Sequence, residues 1–240
     1  MSPHIKIQYE DEALLIVEKP APLPVQPSGR FQRNTLHYML NEVYQPQFPR
    51  IVHRLDANTS GLMVVAKTKA FAAFLSRQFE ERKVGKKYLA LVQGHPFETE
   101  FVCEAPISPE PGDVGSRTVD FEKGLPAKTH FKVLKLFDND TSLLEATPIT
   151  GRTNQIRIHL WVVGFPICGD QLYLPMKKLG TTQTNTMNDE PLCLHASRLE
   201  FVHPVTKNSF IAESPNPHWL GAFHASIPKG EHQESFPPRN

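Results

Sequence analysis

The chain has 240 residues, 40% of them hydrophobic, with a formal net charge of +1. That apolar content suffices for a packed core and excludes a disordered chain. The near-neutral charge excludes recognition of nucleic acid by bulk positive charge, so any such role must rest on local groups.

Cys103, Cys168 and Cys193 are widely spaced and form no Cys-x-x-Cys, which argues against a disulfide framework or a zinc site. The first apolar run carries acidic residues, unlike a signal peptide, and no stretch approaches the ~18 apolar residues of a membrane span. The expectation is a soluble, cytoplasmic, monomeric protein without a membrane partner. Twenty-two prolines favour strands and loops over long helices.

In chain order, "IKIQYEDEALLIVEK" (5–19) predicts two short strands around an acidic turn. The prolines of 20–30 forbid a helix. Residues 34–43 predict a short helix, with Leu36, Met39, Leu40 and Val43 at helical spacing. A strand over 51–55 would put His53 and Arg54 on opposite faces and leave Asp56 where strand gives way to loop. A second strand follows at 62–66. Thr68 caps a helix running to about Arg82, whose apolar face is Phe71, Phe74, Leu75 and Phe79.

"KKYLALVQG" (86–94) alternates as a strand and ends at Gly94. Residues 104–128, rich in proline and glycine, predict an irregular connection. A hairpin follows, turning at Asp138-Asn139-Asp140. Residues 153–164 predict a helix capped by Thr153 or Asn154, with Ile156, Leu160 and Val163 on one face and Gly164 at its end. "LCLHASRLEFVHP" predicts a strand pair. Strands and helices interleave without regular alternation, which favours an α+β fold. One domain over 1–222 is expected, with a poorly ordered tail over 223–240.

Two charged constellations stand out. The first is His53-Arg54-Leu55-Asp56. Asp56 either caps the following loop through backbone N–H groups or works as an anion in a cleft. The second is "EATPITGRTNQIRIHL" (145–160), where Arg152 and Arg157 flank a helix start. Phosphate binding, a salt bridge to a buried carboxylate and a solvated face are the three readings. A carboxylate that must stay ionised in a cleft needs a nearby cation, and Arg54 or Arg157 can supply it.

With these residues in view, "VHRLDANTSGLMVVAK" resembles the signature of the RluA-type pseudouridine synthases. "YEDEALLIVEKPAPLPVQPS", "KKYLALVQG", "PAKTHFKVL", "LLEATPITGRTNQIRIHL", "ICGDQLY" and "LHASRLEFVHP" follow in the family's order. Asn154 stands where the family usually has histidine, and the 174–191 loop is particular to this chain or its subgroup. The resemblance implies a central mixed, mainly antiparallel sheet flanked by helices and loops. It implies isomerisation of uridine to pseudouridine in structured tRNA or rRNA, with no cofactor and no metal.

Asp56 matches the family's essential aspartate, acting as nucleophile at C1′ or base at C2′. Arg157 resembles the arginine paired with it, and Tyr88 the tyrosine that stacks on the base and helps remove the C5 proton. His53, Arg54, Arg152, Gln155 and Ile156 are the implied substrate-binding residues: Arg54 holds the flipped site and Ile156 packs on uracil. Basic groups expected to reach phosphate are Arg30, Arg33, Arg50, Lys67, Lys69, Lys83, Lys86 and Lys87. A catalytically silent RNA-binding or folding factor is the alternative, and a nucleoside hydrolase that releases free uracil is a third reading.

Overall fold

A computed structural model describes residues 5–27 and 31–225; Arg30 and most of the expected tail lie outside the described residues. Two strands, β1 (Lys6–Glu10) and β2 (Leu14–Lys19), pair antiparallel around the acidic turn. After the proline loop come α1 (Leu36–Val43), β3 (Arg50–Ile51), β4 (Ser60–Ala66) and α2 (Lys69–Glu80). Then follow β5 (Gly85–Gln93), β6 (Glu100–Cys103), the hairpin β7 (Thr129–Phe137) and β8 (Thr141–Pro148), and α3 (Gln155–Val162). The short pair β9 (Tyr173–Leu174) and β10 (Lys178–Leu179) precedes β11 (Leu194–Val202), β12 (Ser209–Glu213) and α4 (His218–Ala225).

All strands but β9 and β10 join one ten-stranded sheet, ordered β1-β2-β4-β11-β5-β8-β7-β6, with β12 on β11 and β3 on β4. Its pairings are antiparallel except β4 with β11. The fold is therefore α+β on a mixed, mainly antiparallel sheet. No helix of the described residues is long and apolar enough to cross a membrane.

The apolar runs of β2 and β4 are continuous because both faces of this half-sheet are covered. Leu14, Ile16, Leu62 and Val64 point to the side where Leu75 of α2 packs. Leu15, Val17, Met63 and Val65 point to the other side, with Leu36 and Leu40 of α1. Thr68 caps α2 by accepting from the Phe71 N–H. The other half of the sheet, Leu91, Phe131 and Leu144, packs on Ile156 and Leu160 of α3.

Four local expectations change. First, β3 stops at Ile51, so strand alternation does not orient His53 and Arg54. His53 instead turns inward: its Nε2 accepts the Val64 N–H at 3.0 Å, and its ring stacks on Phe79 at 4.3 Å. A side chain thus takes a backbone donor that a longer β3 would have used. Second, Val43 ends α1 at 74% exposure, off the apolar face.

Third, α3 is not amphipathic. Gln155 to Trp161 are all buried, because the helix lies between the sheet and the 170s loop. Fourth, the second strand of the predicted 192–204 pair does not form. That segment is the single strand β11, which pairs with both β4 and β5 and joins the two halves.

The β4–β11 contact is close. Gly61, at φ +112°, sits where an added Cβ would lie 2.3 Å from the Ala196 carbonyl oxygen and 2.6 Å from its nitrogen. Two histidines near this junction are structural. Nδ1 of His195 bonds with Ser60 Oγ at 2.8 Å and Nε2 with Ser214 Oγ at 2.7 Å. Burial, then the charge of His218, pushes the pKa of His195 down to about 4. Burial, then the charge of Lys86, pushes that of His53 down to about 3.

Two predictions follow from this packing. Gly61→Ala combines backbone strain with overpacking, and should cost about 3–5 kcal/mol in urea unfolding; a loss under ~1 kcal/mol would contradict the β4–β11 contact. The histidines make the fold acid-sensitive. Below the unfolded value of 6.5 the unfolded chain takes up protons that the neutral folded rings refuse. Stability should be flat in this respect above pH 7 and fall toward pH 4. By pH 5 the loss is on the order of 2 kcal/mol for buried His195 and less for the half-buried His53. Equal urea midpoints at pH 7 and pH 5 would mean that the rings are already charged in the fold.

Candidate active site

The segment 53–56, strand β5 and the start of α3 converge on one open cavity of about 440 Å³. All eight sequence candidates line it: His53, Arg54, Asp56, Tyr88, Arg152, Gln155, Ile156 and Arg157. Residues about 100 positions apart meet because β11 lies between β4 and β5 and pairs with both, and β8 delivers the chain into α3.

Asp56 begins the loop into β4. Its backbone carbonyl accepts the Thr59 N–H at 3.1 Å. Its side chain stays 26% exposed, and Arg157 is the cation at ion-pair distance, Nη1 to Oδ2 at 4.0 Å. The reading in which the Asp56 carboxylate caps the loop through N–H groups finds no such bond among the described residues. The loop is held from behind by Lys19, which is fully buried. Its Nζ donates to the carbonyls of Leu23, Pro20 and Ala57 at 2.8, 3.0 and 3.1 Å. Burial pushes this pKa down to about 7, against the pull of the nearby Asp56 charge. Three carbonyl acceptors match the three N–H bonds of an ammonium, so we assign Lys19 the charged form.

Arg157 is buried, and its principal partner is Asp170. Nε and Nη2 reach the two carboxylate oxygens at 2.7 Å each, and Nη1 donates to Asn154 Oδ1 at 3.1 Å. Burial disfavours the guanidinium charge, but the Asp170 bonds and charge more than offset it, so the pKa is held above its ordinary value. Asp170 in turn accepts the N–H groups of Leu172 and Tyr173. The expected Arg157–Asp56 pair is thus a long-range contact beside a bidentate bond to a second carboxylate. Asp170 was not singled out from the sequence. The signal was there: a buried arginine requires a buried anion, and "CGDQLY" places one in a turn whose N–H groups hold it.

Asn154 occupies the cap position of α3 in the left-handed region, φ 57°, which asparagine tolerates. Its side chain does not cap the helix. It accepts from Arg157 and donates to Tyr173 Oη at 3.2 Å. Gln155 is also engaged inside the fold. It accepts from Thr150 Oγ1 and the Arg152 N–H, and donates to Lys128 O and Thr129 Oγ1. Its amide capacity is filled by protein, which leaves it to shape the wall rather than bind a ligand.

Tyr88, on β5 between Ala196 and Ala146, packs beside Ile156. Burial, then the Asp56 charge, pushes its phenol well above the ordinary value, so it is neutral.

The described basic candidates separate into three groups. Lys67, Lys83 and Lys87 are paired with Glu10, Glu81 and Glu145 at 2.6, 2.6 and 2.8 Å. Arg33, Arg50 and Lys69 are exposed away from the cavity. Lys86 lines it and has no carboxylate at ion-pair distance among the described residues. Burial, then the charge of Arg82, lowers its pKa. Arg54, Arg82 and Arg152 complete a basic rim.

Comparison with known proteins places this geometry. The RNA pseudouridylate synthase family model matches residues 13–161. A ribosomal large subunit pseudouridine synthase D of Nitrosomonas europaea is 40% identical over 227 residues, covering 93% of this chain and 65% of that protein. A dual-specificity RNA pseudouridine synthase RluA of Salmonella typhi is 36% identical over 215 residues, covering 89% of this chain and 94% of that protein. The solved human RNA pseudouridylate synthase domain containing 4 superposes with a TM-score of 0.72 at 27% identity, covering 91% of each chain. By the extent of these matches, the chain belongs to the RNA pseudouridylate synthase family, of the RluA type.

Proposed function

We propose that the protein isomerises uridine to pseudouridine in structured tRNA or rRNA, with Asp56 as the group that acts on the sugar. The observation that carries this reading is the state of Asp56. Its carboxylate faces a cavity, unbonded among the described residues, 4.0 Å from a guanidinium that other groups hold in place. An ionised carboxylate of this kind serves either route, attack at C1′ or proton removal at C2′.

The reaction adds and removes no atoms. The N1–C1′ bond breaks, the uracil turns, a C5–C1′ bond forms, and C5 loses the proton that N1 gains. Neutral Tyr88, beside the Asp56 charge, lies where it can stack on the base and take part in the C5 proton transfer. Ile156 gives the uracil an apolar wall, while Arg54 and Arg152 bind the backbone around it. A paired uridine cannot reach Asp56, so the target is flipped, at a cost of roughly a few kcal/mol. Phosphate contacts offset that cost, and Lys86, the lysine in the cavity lining, can make one.

The Nitrosomonas relative is named for the large ribosomal subunit and the Salmonella relative for dual specificity. Both names support an RNA substrate here.

Asp56→Asn keeps the shape and removes the anion. It should fold, bind RNA and form no detectable pseudouridine. Normal product from this variant would sink the assignment of Asp56. Release of free uracil by the wild type would indicate a hydrolase, and RNA binding without turnover a silent folding factor.

Lys86→Gln should weaken RNA binding and lower the slope of log affinity against log salt by about one. Lys83→Gln, whose lysine is already paired with Glu81, should move the slope much less. Equal slopes in the two variants would show that Lys86 makes no phosphate contact.

A further inference from the structure

A second cavity, of about 700 Å³, adjoins the first. The two share a wall made of Arg54, Leu55, Asp56, Thr153, Asn154 and Arg157. This volume lies within the roughly 300–1,000 Å³ typical of small-ligand sites. The far wall comes from the proline loop, Phe31 and the segment 181–184, part of the loop particular to this chain or its subgroup.

That segment is tied to the Asp56 loop. Asn58, buried two residues after Asp56, donates to Asn185 Oδ1 at 2.7 Å and to the Gln183 carbonyl at 2.9 Å. Its own Oδ1 accepts the Asn185 N–H at 2.9 Å. Asn185 Nδ2 donates onward to the Glu190 and Gly169 carbonyls at 2.9 and 3.3 Å. Asparagine at position 58 therefore fixes Thr182 and Gln183 relative to the reacting carboxylate.

The chemistry of the far wall suits a base better than a phosphate. Its cations, Arg54 and Arg157, sit on the shared wall. The far wall itself is neutral: threonine hydroxyls and amides, with Gln183 Nε2 donating to the Gly115 carbonyl at 3.3 Å, beside Pro24, Pro27 and Phe31. A nucleobase offers the complement, a polar hydrogen-bonding edge and apolar faces. Single-stranded loops present such bases splayed out, and proteins read them by edge contacts and stacking. An RNA strand that delivers one uridine to the first cavity carries its neighbour past the shared wall.

We propose that the second cavity is a specificity subsite that takes the nucleobase adjoining the target uridine and reads its edge with Thr182 and Gln183. This rests on the reading of the first cavity as the uridine site.

The test uses a pool of stem-loop RNAs with one loop uridine and randomised flanking nucleotides. RNA bound by the wild type and by the Thr182→Ala/Gln183→Ala variant is sequenced, and pseudouridine in the same pools is measured separately. The wild type should enrich one base at one neighbouring position by about tenfold, the scale of discrimination by hydrogen bonds to a base edge. The variant should bring that bias to within about twofold.

The Gln183 backbone carbonyl that anchors Asn58 remains in the variant. Should the variant prove unstable, Thr182→Val removes only a hydroxyl and should reduce the same bias. No flanking bias in the wild type, or an equal bias in the variants, overturns the subsite. Enrichment without any pseudouridine would overturn the activity and leave the subsite standing.

Discussion

The buried fork between Arg157 and Asp170 is the constraint on which the site depends. Removing a guanidinium and a carboxylate from water costs several kcal/mol per ion unless their hydrogen bonds are replaced. Here they are replaced almost completely: two parallel bonds join the pair, Asn154 takes Nη1, and two backbone N–H groups take Asp170. The pair ties the first turn of α3 to the 170s turn, two segments that no strand ladder connects. What remains toward the cavity is a fixed positive edge, 4.0 Å from Asp56. That distance sets a positive charge beside the carboxylate without tying it up in a bidentate bond.

Asp56 is held through its loop rather than through its carboxylate. The β4–β11 pairing at Gly61 places the end of the loop, and Lys19 grips the Ala57 carbonyl from behind. Asn58 then fastens the 181–185 segment to the same loop. Each of these groups acts on backbone or on a neighbour, which leaves the Asp56 side chain open to a ligand. Preorganisation of this kind lets a charged group meet its substrate without first breaking bonds to protein.

Overall neutrality conceals an uneven distribution of charge. Lys67, Lys83 and Lys87 are neutralised by glutamates, whereas Lys86 and four arginines line the cavity. A polyanion would meet a local positive rim on a protein whose net charge is only +1. Local arrangement, rather than the total, is what an electrostatic interface requires.

The sequence by itself determined β1, β2, β4 and β5, the capped helix α2, the β7–β8 hairpin and the α+β class, because alternation, capping and turn chemistry act over a few residues. It also singled out Asp56, Arg157 and Tyr88, since a long spaced motif survives without knowledge of the fold. It misplaced the end of β3, because His53 replaces a ladder bond with a side-chain bond to a strand 11 residues on. It read α3 as one-sided because periodicity reports the apolar face and not what covers the polar one. Only tertiary structure decided that Arg157 belongs first to Asp170, that Gln155 is engaged inside the fold, and that Lys86 lines the cavity without a carboxylate at ion-pair distance among the described residues. Those outcomes depend on which groups converge from distant segments, and burial makes the pairing of charges and amides obligatory once they do.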